Sequence, residues 1–100
     1  MSKIIVLASF KPKEGMEDKV LATLNTMAAP TRAEAGCEKY DLYRDKEGTG
    51  LHLFEVYSDM AAVEAHRAAD YYKAYRAMIV DYLAEPIAVK LLAGVDVVGG

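Results

Sequence analysis

The sequence is poor in several residues that mark particular classes of protein. It contains one cysteine, three prolines and no tryptophan in 100 residues. The single thiol, Cys37, cannot form an internal disulfide, which favours a reducing, cytoplasmic location. No run approaches the roughly 20 apolar residues that a membrane-spanning helix requires, so we expect no membrane partner.

Positive charge and catalytic motifs are also scarce. The formal net charge is −3, and the basic residues are spread along the chain. Binding to the phosphates of a nucleic acid needs clustered lysines and arginines, so no nucleic-acid partner is expected. The sequence has no GxSxG elbow, phosphate-binding loop or dinucleotide fingerprint, which argues against the enzyme classes that use them.

Apolar residues make up about half of the chain (53%), and they recur with two different periods. Residues 3–11, 37–44, 51–58 and 87–92 have the pattern of strands. The segments between them have the spacing of amphipathic helices, with a break expected near Asp70. The order β-α-β-β-α-β predicts one domain, residues 1–100, of the α+β class, with ferredoxin-like topology and an antiparallel sheet.

Prolines and capping residues set the predicted ends of the helices. Pro30 should end or kink the first helix, and Pro86 should end the last. Ser58 or Asp59 can cap the helix that follows the third strand. We expect one stripe of the last helical region to face the sheet: Tyr72, Tyr75, Met78, Ile79, Tyr82 and Leu83.

The strands are apolar on both faces, as the third strand shows. Leu53 on one face is matched by Phe54 and Val56 on the other. Helices on one face would leave the other uncovered, and an exposed apolar patch of that kind marks an interface. We therefore expect a homodimer that packs sheet against sheet. The tail after about residue 94 is either flexible or swapped onto the partner.

Three residues have the composition of a metal site with two histidines and one carboxylate: His52, Glu55 and His66. Residues three apart on a strand point to opposite faces, which separates His52 from Glu55. We therefore expect no metal. Cys37 has no cationic neighbour in the sequence and is interpreted as a structural thiol.

Glu55 is the first catalytic candidate, because it shares a strand face with Leu53 and Tyr57 that we expect to be covered. A buried carboxyl group needs a cationic partner, a hydrogen-bond donor or a proton. Two compatible interpretations are open. One is an acid in a pocket that orients His66 or a ligand hydroxyl. The other is a structural ion pair with one of three arginines: Arg32, Arg67 or Arg76.

His66 is the second candidate, on the apolar side of its helix. A histidine there is either a hydrogen-bonded core residue or a base that works near neutral pH. The chain has seven tyrosines against two phenylalanines, so many buried rings carry a hydroxyl that needs a partner. We expect several of them to line a cavity for a planar, partly polar ligand. The residues assigned to substrate binding are Leu53, Tyr40, Tyr57, Tyr71 and Tyr75.

The run 30–37 (PTRAEAGC), Tyr40, the run 54–57 (FEVY) and the pair Ala65-His66 resemble the antibiotic biosynthesis monooxygenase family, in particular its small quinol-monooxygenase-like members. The resemblance covers nearly the whole chain. It implies a ferredoxin-like subunit that dimerises through its sheets into an α+β barrel. It also implies the oxidation of small aromatic or quinol-type substrates by molecular oxygen without metal, flavin or haem, so no cofactor is expected.

The resemblance also implies roles for individual residues. Glu55 and His66 match the family's recurring acid and histidine, with His66 as the base, Glu55 orienting it and the tyrosines positioning the substrate. Tyr57 stands where many members have tryptophan, and Tyr71 where many have a second histidine. Proton transfer then falls on His66 or a tyrosinate. The asparagine that haem-degrading relatives carry in the first strand is missing, which disfavours haem degradation.

Two alternative functions remain open on the same fold. One is an isomerase that uses the same acid and histidine on a small, phosphorylated carbonyl compound, with a basic pocket that includes Arg32 or Arg67. The other is a ligand-binding dimer without catalytic activity.

Overall fold

A computed structural model describes residues 3–98. The ends of the predicted domain, residues 1–2 and 99–100, lie outside the described residues. The order of elements confirms the predicted ferredoxin-like α+β fold, with the second helical region divided. The elements are β1 (Ile4–Phe10), α1 (Glu17–Arg32), β2 (Cys37–Arg44), β3 (Leu51–Tyr57), α2 (Met60–Ala68), α3 (Asp70–Ile79), a short 3₁₀ turn (Val80–Tyr82) and β4 (Ala88–Ala93).

The four strands form one antiparallel sheet in the order β2-β3-β1-β4. In the register of the two central strands, Val6 lies opposite Glu55 and Ala8 opposite Leu53. Val6 is also paired with Leu91 of β4. Since paired residues of antiparallel strands point to the same face, this register decides which side chains share a surface.

The helices cover one face of this sheet, as predicted. The main core joins β1, β2 and β3 to α1 and α3, and a smaller cluster of Val6, Tyr57 and Val63 joins the sheet to α2. The buried positions of β3 alternate strictly with half-buried ones. The main core includes Phe10, Val20, Leu24, Met27, Leu51, Leu53, Tyr75 and Ile79.

Asp59 caps α2, which confirms one of the two predicted caps. Its Oδ1 accepts a hydrogen bond from the Ala62 N–H at 2.9 Å. The predicted break near Asp70 is also confirmed, because Ala69 has an extended backbone (φ −66°, ψ 139°) between α2 and α3. This break turns α3 so that its tyrosines approach the end of α2.

Three expectations about the helices are wrong. Of the two effects predicted for Pro30, ending the helix is wrong: α1 continues to Arg32 because the following N–H groups still find helical carbonyls, including Ala33 N–H to Ala29 O at 3.2 Å. Met78 does not face the sheet and is 52% exposed. The last helix also stops well before Pro86, because the chain pairs with the residues after β1: Ala84 N–H donates to Lys11 O at 2.7 Å.

No described helix covers the opposite face of the sheet. Its central residues are half-buried and apolar, namely Ile5, Leu7, Phe54 and Val56. Every residue of β4 is exposed. Within residues 3–98, no helix has the length and apolar character needed to cross a membrane.

Candidate active site

Gly36 brings the connection between α1 and β2 against α2. A Cβ at this position would collide with the Cβ of Ala62, and the Gly36 carbonyl accepts a hydrogen bond from Ser58 N–H at 2.9 Å. Only a residue without a side chain permits so close an approach. Glu34 lies two residues before Gly36, and His66 lies one helical turn after Ala62, so the contact places these two side chains together.

Glu34 and His66 form a hydrogen-bonded pair. His66 Nδ1 lies 2.9 Å from Glu34 Oε2, and the hydroxyl of Tyr71 donates to the same oxygen. Since an ionised carboxylate can only accept hydrogen bonds, neutral His66 carries its proton on Nδ1 and keeps a lone pair on Nε2. Within residues 3–98, Nε2 has no hydrogen-bond partner. The buried ring can therefore accept a proton at Nε2.

Tyrosine rings surround His66. The ring centroids of Tyr72 and Tyr57 lie 4.9 and 5.5 Å from that of His66. Those of Tyr40 and Tyr71 both lie 6.2 Å away. The rings come from β2, β3 and α3, so the fold assembles this environment from distant parts of the chain. Such a wall is apolar on its faces and polar at its hydroxyls.

A cleft opens between the sheet and helices α2 and α3, with a volume of about 380 Å³ including its mouth. The space inside it that solvent can enter has room for about one water molecule, so an aromatic ligand would extend from the cleft into its mouth. Five of the residues predicted for the site line this cleft: Tyr40, Glu55, Tyr57, His66 and Tyr75. Tyr72, Arg67 and Arg76 line it as well.

Glu55 lies at the base of the cleft, on the covered face of β3, and is 5% exposed. It accepts a hydrogen bond from the Tyr57 hydroxyl at 2.6 Å. Burial raises the pKa of Glu55. The hydrogen bond from Tyr57, the positive charge of His66 in its protonated form and the charge of Arg67 oppose that rise. Glu55 is therefore harder to ionise than an exposed glutamate, and in its protonated form it can donate a hydrogen bond to a ligand.

The partners predicted for Glu55 need correction. The carboxyl group that orients His66 is Glu34, because Glu55 lies on the strand below the ring and bonds to Tyr57. The predicted ion pair with an arginine is not formed among the described residues. Arg32 instead donates to the Tyr40 carbonyl oxygen, at 3.1 and 2.7 Å.

Burial also changes the other titratable groups of the site. Burial is the main reason why the pKa of each hydroxyl group of Tyr40, Tyr57 and Tyr75 lies above the usual range for tyrosine. These phenols therefore stay neutral near pH 7, which disfavours a tyrosinate base. Burial raises the pKa of the Cys37 thiol to about 11, in agreement with the prediction of a structural thiol.

Two of the predicted site residues, and the histidine rejected as a metal ligand, lie away from the cleft wall. Leu53 is in the main core, and Tyr71 reaches Glu34 behind the His66 ring. His52 is on the opposite face of the sheet from Glu55, as predicted, between Ser9 and Asp45. Within residues 3–98, no three side chains of His, Cys, Asp or Glu are grouped to hold a metal ion.

Comparison with known proteins identifies the family. The model of the antibiotic biosynthesis monooxygenase family matches residues 3–78. This chain belongs to that family. The family match confirms the resemblance inferred from the motifs around Glu34, Glu55 and His66.

Within the antibiotic biosynthesis monooxygenase family, the chain is 41% identical over 95 residues to the monooxygenase candidate Rv0793 of Mycobacterium tuberculosis, covering 95% of this chain and 94% of that one. The structure of Rv0793 matches 98% of this chain and 100% of its own, with a TM-score of 0.94. The structure of SO0527 from Shewanella oneidensis is 31% identical and matches with a TM-score of 0.87, covering 93% of this chain and 91% of that one.

In this family member, the residue that sequence reasoning missed is Glu34. It lies in the turn after α1, where an acidic residue is ordinary, and its partner is 32 residues away. The one available signal was Gly36, since a glycine at a turn also permits close packing of the neighbouring backbone.

Proposed function

We propose that this protein is a cofactor-independent monooxygenase that oxidises small aromatic, quinol-type substrates with molecular oxygen. The observation that supports it is the buried His66, with Nδ1 held by Glu34 and Nε2 unpartnered in a tyrosine-lined cleft. An electron-rich phenol that loses its proton can itself give an electron to oxygen. The protein then needs a base and a site shielded from water.

Each residue of the cleft has a role in this proposal. His66 removes the phenolic proton, and Glu34 stabilises the imidazolium that forms. Glu55, which its burial favours in the protonated form, donates a hydrogen bond to a substrate oxygen. The neutral hydroxyls of Tyr57 and Tyr75 position the ring.

The overall reaction of a phenol or quinol with a hydrogen-bearing carbon ortho or para to its ionised oxygen gives a quinone and water. The phenolate passes one electron to oxygen, and the resulting radical pair combines at that carbon to form a peroxide, which takes a proton from the imidazolium. His66 then removes the proton of that C–H bond while the O–O bond breaks. The departing hydroxide takes up a proton and leaves as water, so one oxygen atom enters the product and the other is reduced.

Oxygen uptake with a panel of hydroquinones and anthrones tests this function. We expect consumption of oxygen above the uncatalysed rate, and one labelled atom in the product when ¹⁸O₂ is supplied. Uptake no faster than background, with the quinol recovered unchanged, would contradict the proposal.

The homodimer is part of the same proposal. Its support is the uncovered apolar face centred on Leu7, Phe54 and Val56, which a second copy would bury. We expect the mass in solution to be that of a dimer, and Phe54→Glu to give a monomer. Lys73→Glu, on the helical side, serves as the control and should remain dimeric. A monomeric wild-type protein would contradict the assembly.

An isomerase is the second candidate, and the arginines of the cleft favour it. Arg67 lines the cleft, as that alternative required, whereas Arg32 does not. If oxygen uptake is absent, conversion of phosphorylated ketones in deuterated water, with deuterium incorporated next to the carbonyl, would support the isomerase. Lack of both activities would leave a ligand-binding role.

A further inference from the structure

The mouth of the cleft carries two arginines that the proposed chemistry does not use. Arg67 follows His66 at the end of α2, and Arg76 lies one turn after Tyr72 on α3. Both line the same cleft as Glu55 and His66. The two helices therefore bring two permanent positive charges to the entrance of one site.

Neither guanidinium group forms an ion pair with an acidic residue of the described range 3–98. Among the described residues, no carboxylate oxygen lies within 4.0 Å of Arg67 or Arg76, whereas Arg32 has Asp41 at 3.8 Å. Arg76 contacts Tyr72: its Nη1 donates to the Tyr72 hydroxyl at 2.9 Å, and its guanidinium carbon lies 5.8 Å from the ring centroid. Most donors of both groups remain available to a ligand.

This local positive charge is not a property of the whole molecule. The chain has a formal net charge of −3. The acid deeper in the cleft is Glu55, whose pKa burial raises although the charge of Arg67 opposes the rise. The inner wall is apolar, with Val6, Ala8 and Val63. A charged group would pay a desolvation penalty inside, whereas at the mouth it meets guanidinium donors that match an oxyanion.

We propose that Arg67 and Arg76 form an anion-binding subsite, so that the ligand is an aromatic compound that carries a carboxylate or a similar oxyanion. The ring lies toward His66 and the anion toward the solvent. The inference rests on the proposed function for the aromatic ring, and it adds the charge and orientation of the molecule.

Fluorescence titration with matched naphthols tests the proposal without any turnover. The probes are 6-hydroxy-2-naphthoate, its methyl ester, and 6-hydroxynaphthalene-2-sulfonate. We expect the two anions to bind about tenfold more tightly than the ester of the same shape, with the difference shrinking as salt is added. Carboxylate and sulfonate together distinguish a planar from a tetrahedral oxyanion.

Variants assign the preference to the two arginines. Arg67→Gln and Arg76→Gln should each weaken binding of the anions by roughly 3- to 10-fold and leave that of the ester unchanged. Lys73→Gln removes one positive charge from an exposed position of α3 that does not line the cleft, and it should change neither. Melting temperatures of all variants check that the fold is retained.

Three results would overturn the subsite. They are equal affinity for the acid and its ester, a loss of anion binding in Lys73→Gln as large as in the arginine variants, and no binding of any probe. The proposed function is tested separately, because binding requires no oxygen. A preference for anions without oxygen uptake would sustain the subsite and reject the monooxygenase. Oxygen uptake with neutral quinols, together with equal binding of the anions and the ester, would support the monooxygenase and reject the subsite.

Discussion

The two histidines of the chain show what distinguishes a structural imidazole from a catalytic candidate. Each has a carboxylate partner: His52 Nε2 lies 2.7 Å from Asp45, and His66 Nδ1 lies 2.9 Å from Glu34. His52 uses its other nitrogen as well, at 2.8 Å from the Ser9 hydroxyl. Its side chain is 35% exposed, whereas that of His66 is 5% exposed.

The difference lies in the second nitrogen and its surroundings. A carboxylate contact fixes the ring in both places. Among the contacts of residues 3–98, however, only His66 keeps a nitrogen without a partner, and this nitrogen belongs to a ring in a cleft lined by tyrosines. A histidine–carboxylate pair is therefore not a site by itself. The free nitrogen, the exclusion of water and room for a ligand complete it.

Replacement of each histidine gives the largest expected contrast. His66→Ala should lower turnover by roughly 10²–10⁴-fold, because it removes the base. His52→Ala should leave turnover within about threefold of wild type, because His52 lies on the other face of the sheet. Oxygen uptake measures both. If His66→Ala chiefly lowered the melting temperature and kept its turnover, the ring would be structural.

Replacement of the two acidic partners sharpens the comparison. Glu34→Gln should lower kcat by roughly 10- to 100-fold with little change in KM, since Nδ1–H loses its anionic acceptor while the substrate contacts remain. Asp45→Asn should leave both constants unchanged.

Nitrogen NMR of the His66 ring separates this role from a purely structural one. The wild-type ring should carry its proton on Nδ1, and Glu34→Gln should give a mixture of tautomers. An unchanged tautomer with unchanged kcat would show that Glu34 does not position His66.

One glycine lies near each histidine–carboxylate pair, Gly36 near Glu34–His66 and Gly48 near Asp45–His52, so its replacement tests the local packing. Gly36→Ala should destabilise the protein by about 1–3 kcal/mol, because the added Cβ meets the Cβ of Ala62 and neither can move without the backbone. Gly48→Ala is the matched change near Asp45, where the new Cβ would be 3.4 Å from the nearest atom. Thermal unfolding should show a clear loss only for Gly36→Ala; equal losses would contradict the packing argument.

The smallest expected effect concerns Glu55 and pH. Its pKa in the folded protein is raised above the ordinary value of 4.5, so the folded state binds this proton more tightly than the unfolded state. Stability should therefore fall as pH rises above about 4.5, and Glu55→Gln should reduce that slope while keeping an acceptor for Tyr57. Denaturant unfolding from pH 4 to 8 measures it; identical slopes in both proteins would contradict the buried acid.

Local patterns predicted the fold well because the local rules agree with the packing. Alternation along β3 placed Leu53, Glu55 and Tyr57 on the covered face, and the cap at Asp59 is a local hydrogen bond. The partner of His66 could not be found in this way. It depends on the contact between Gly36 and Ala62, which only the packed chain brings about.

The extended backbone of Ala69, between α2 and α3, bears on both the width of the cleft and the hydrogen bonds of Glu34. Rotation at Ala69 would move α3, and with it Arg76, while His66 stayed fixed on α2. The same motion would carry Tyr71 away from Glu34, whose carboxylate holds the imidazole. A rotation there that widened the cleft would therefore also remove the Tyr71 hydrogen bond from Glu34, the acceptor of the His66 Nδ1–H.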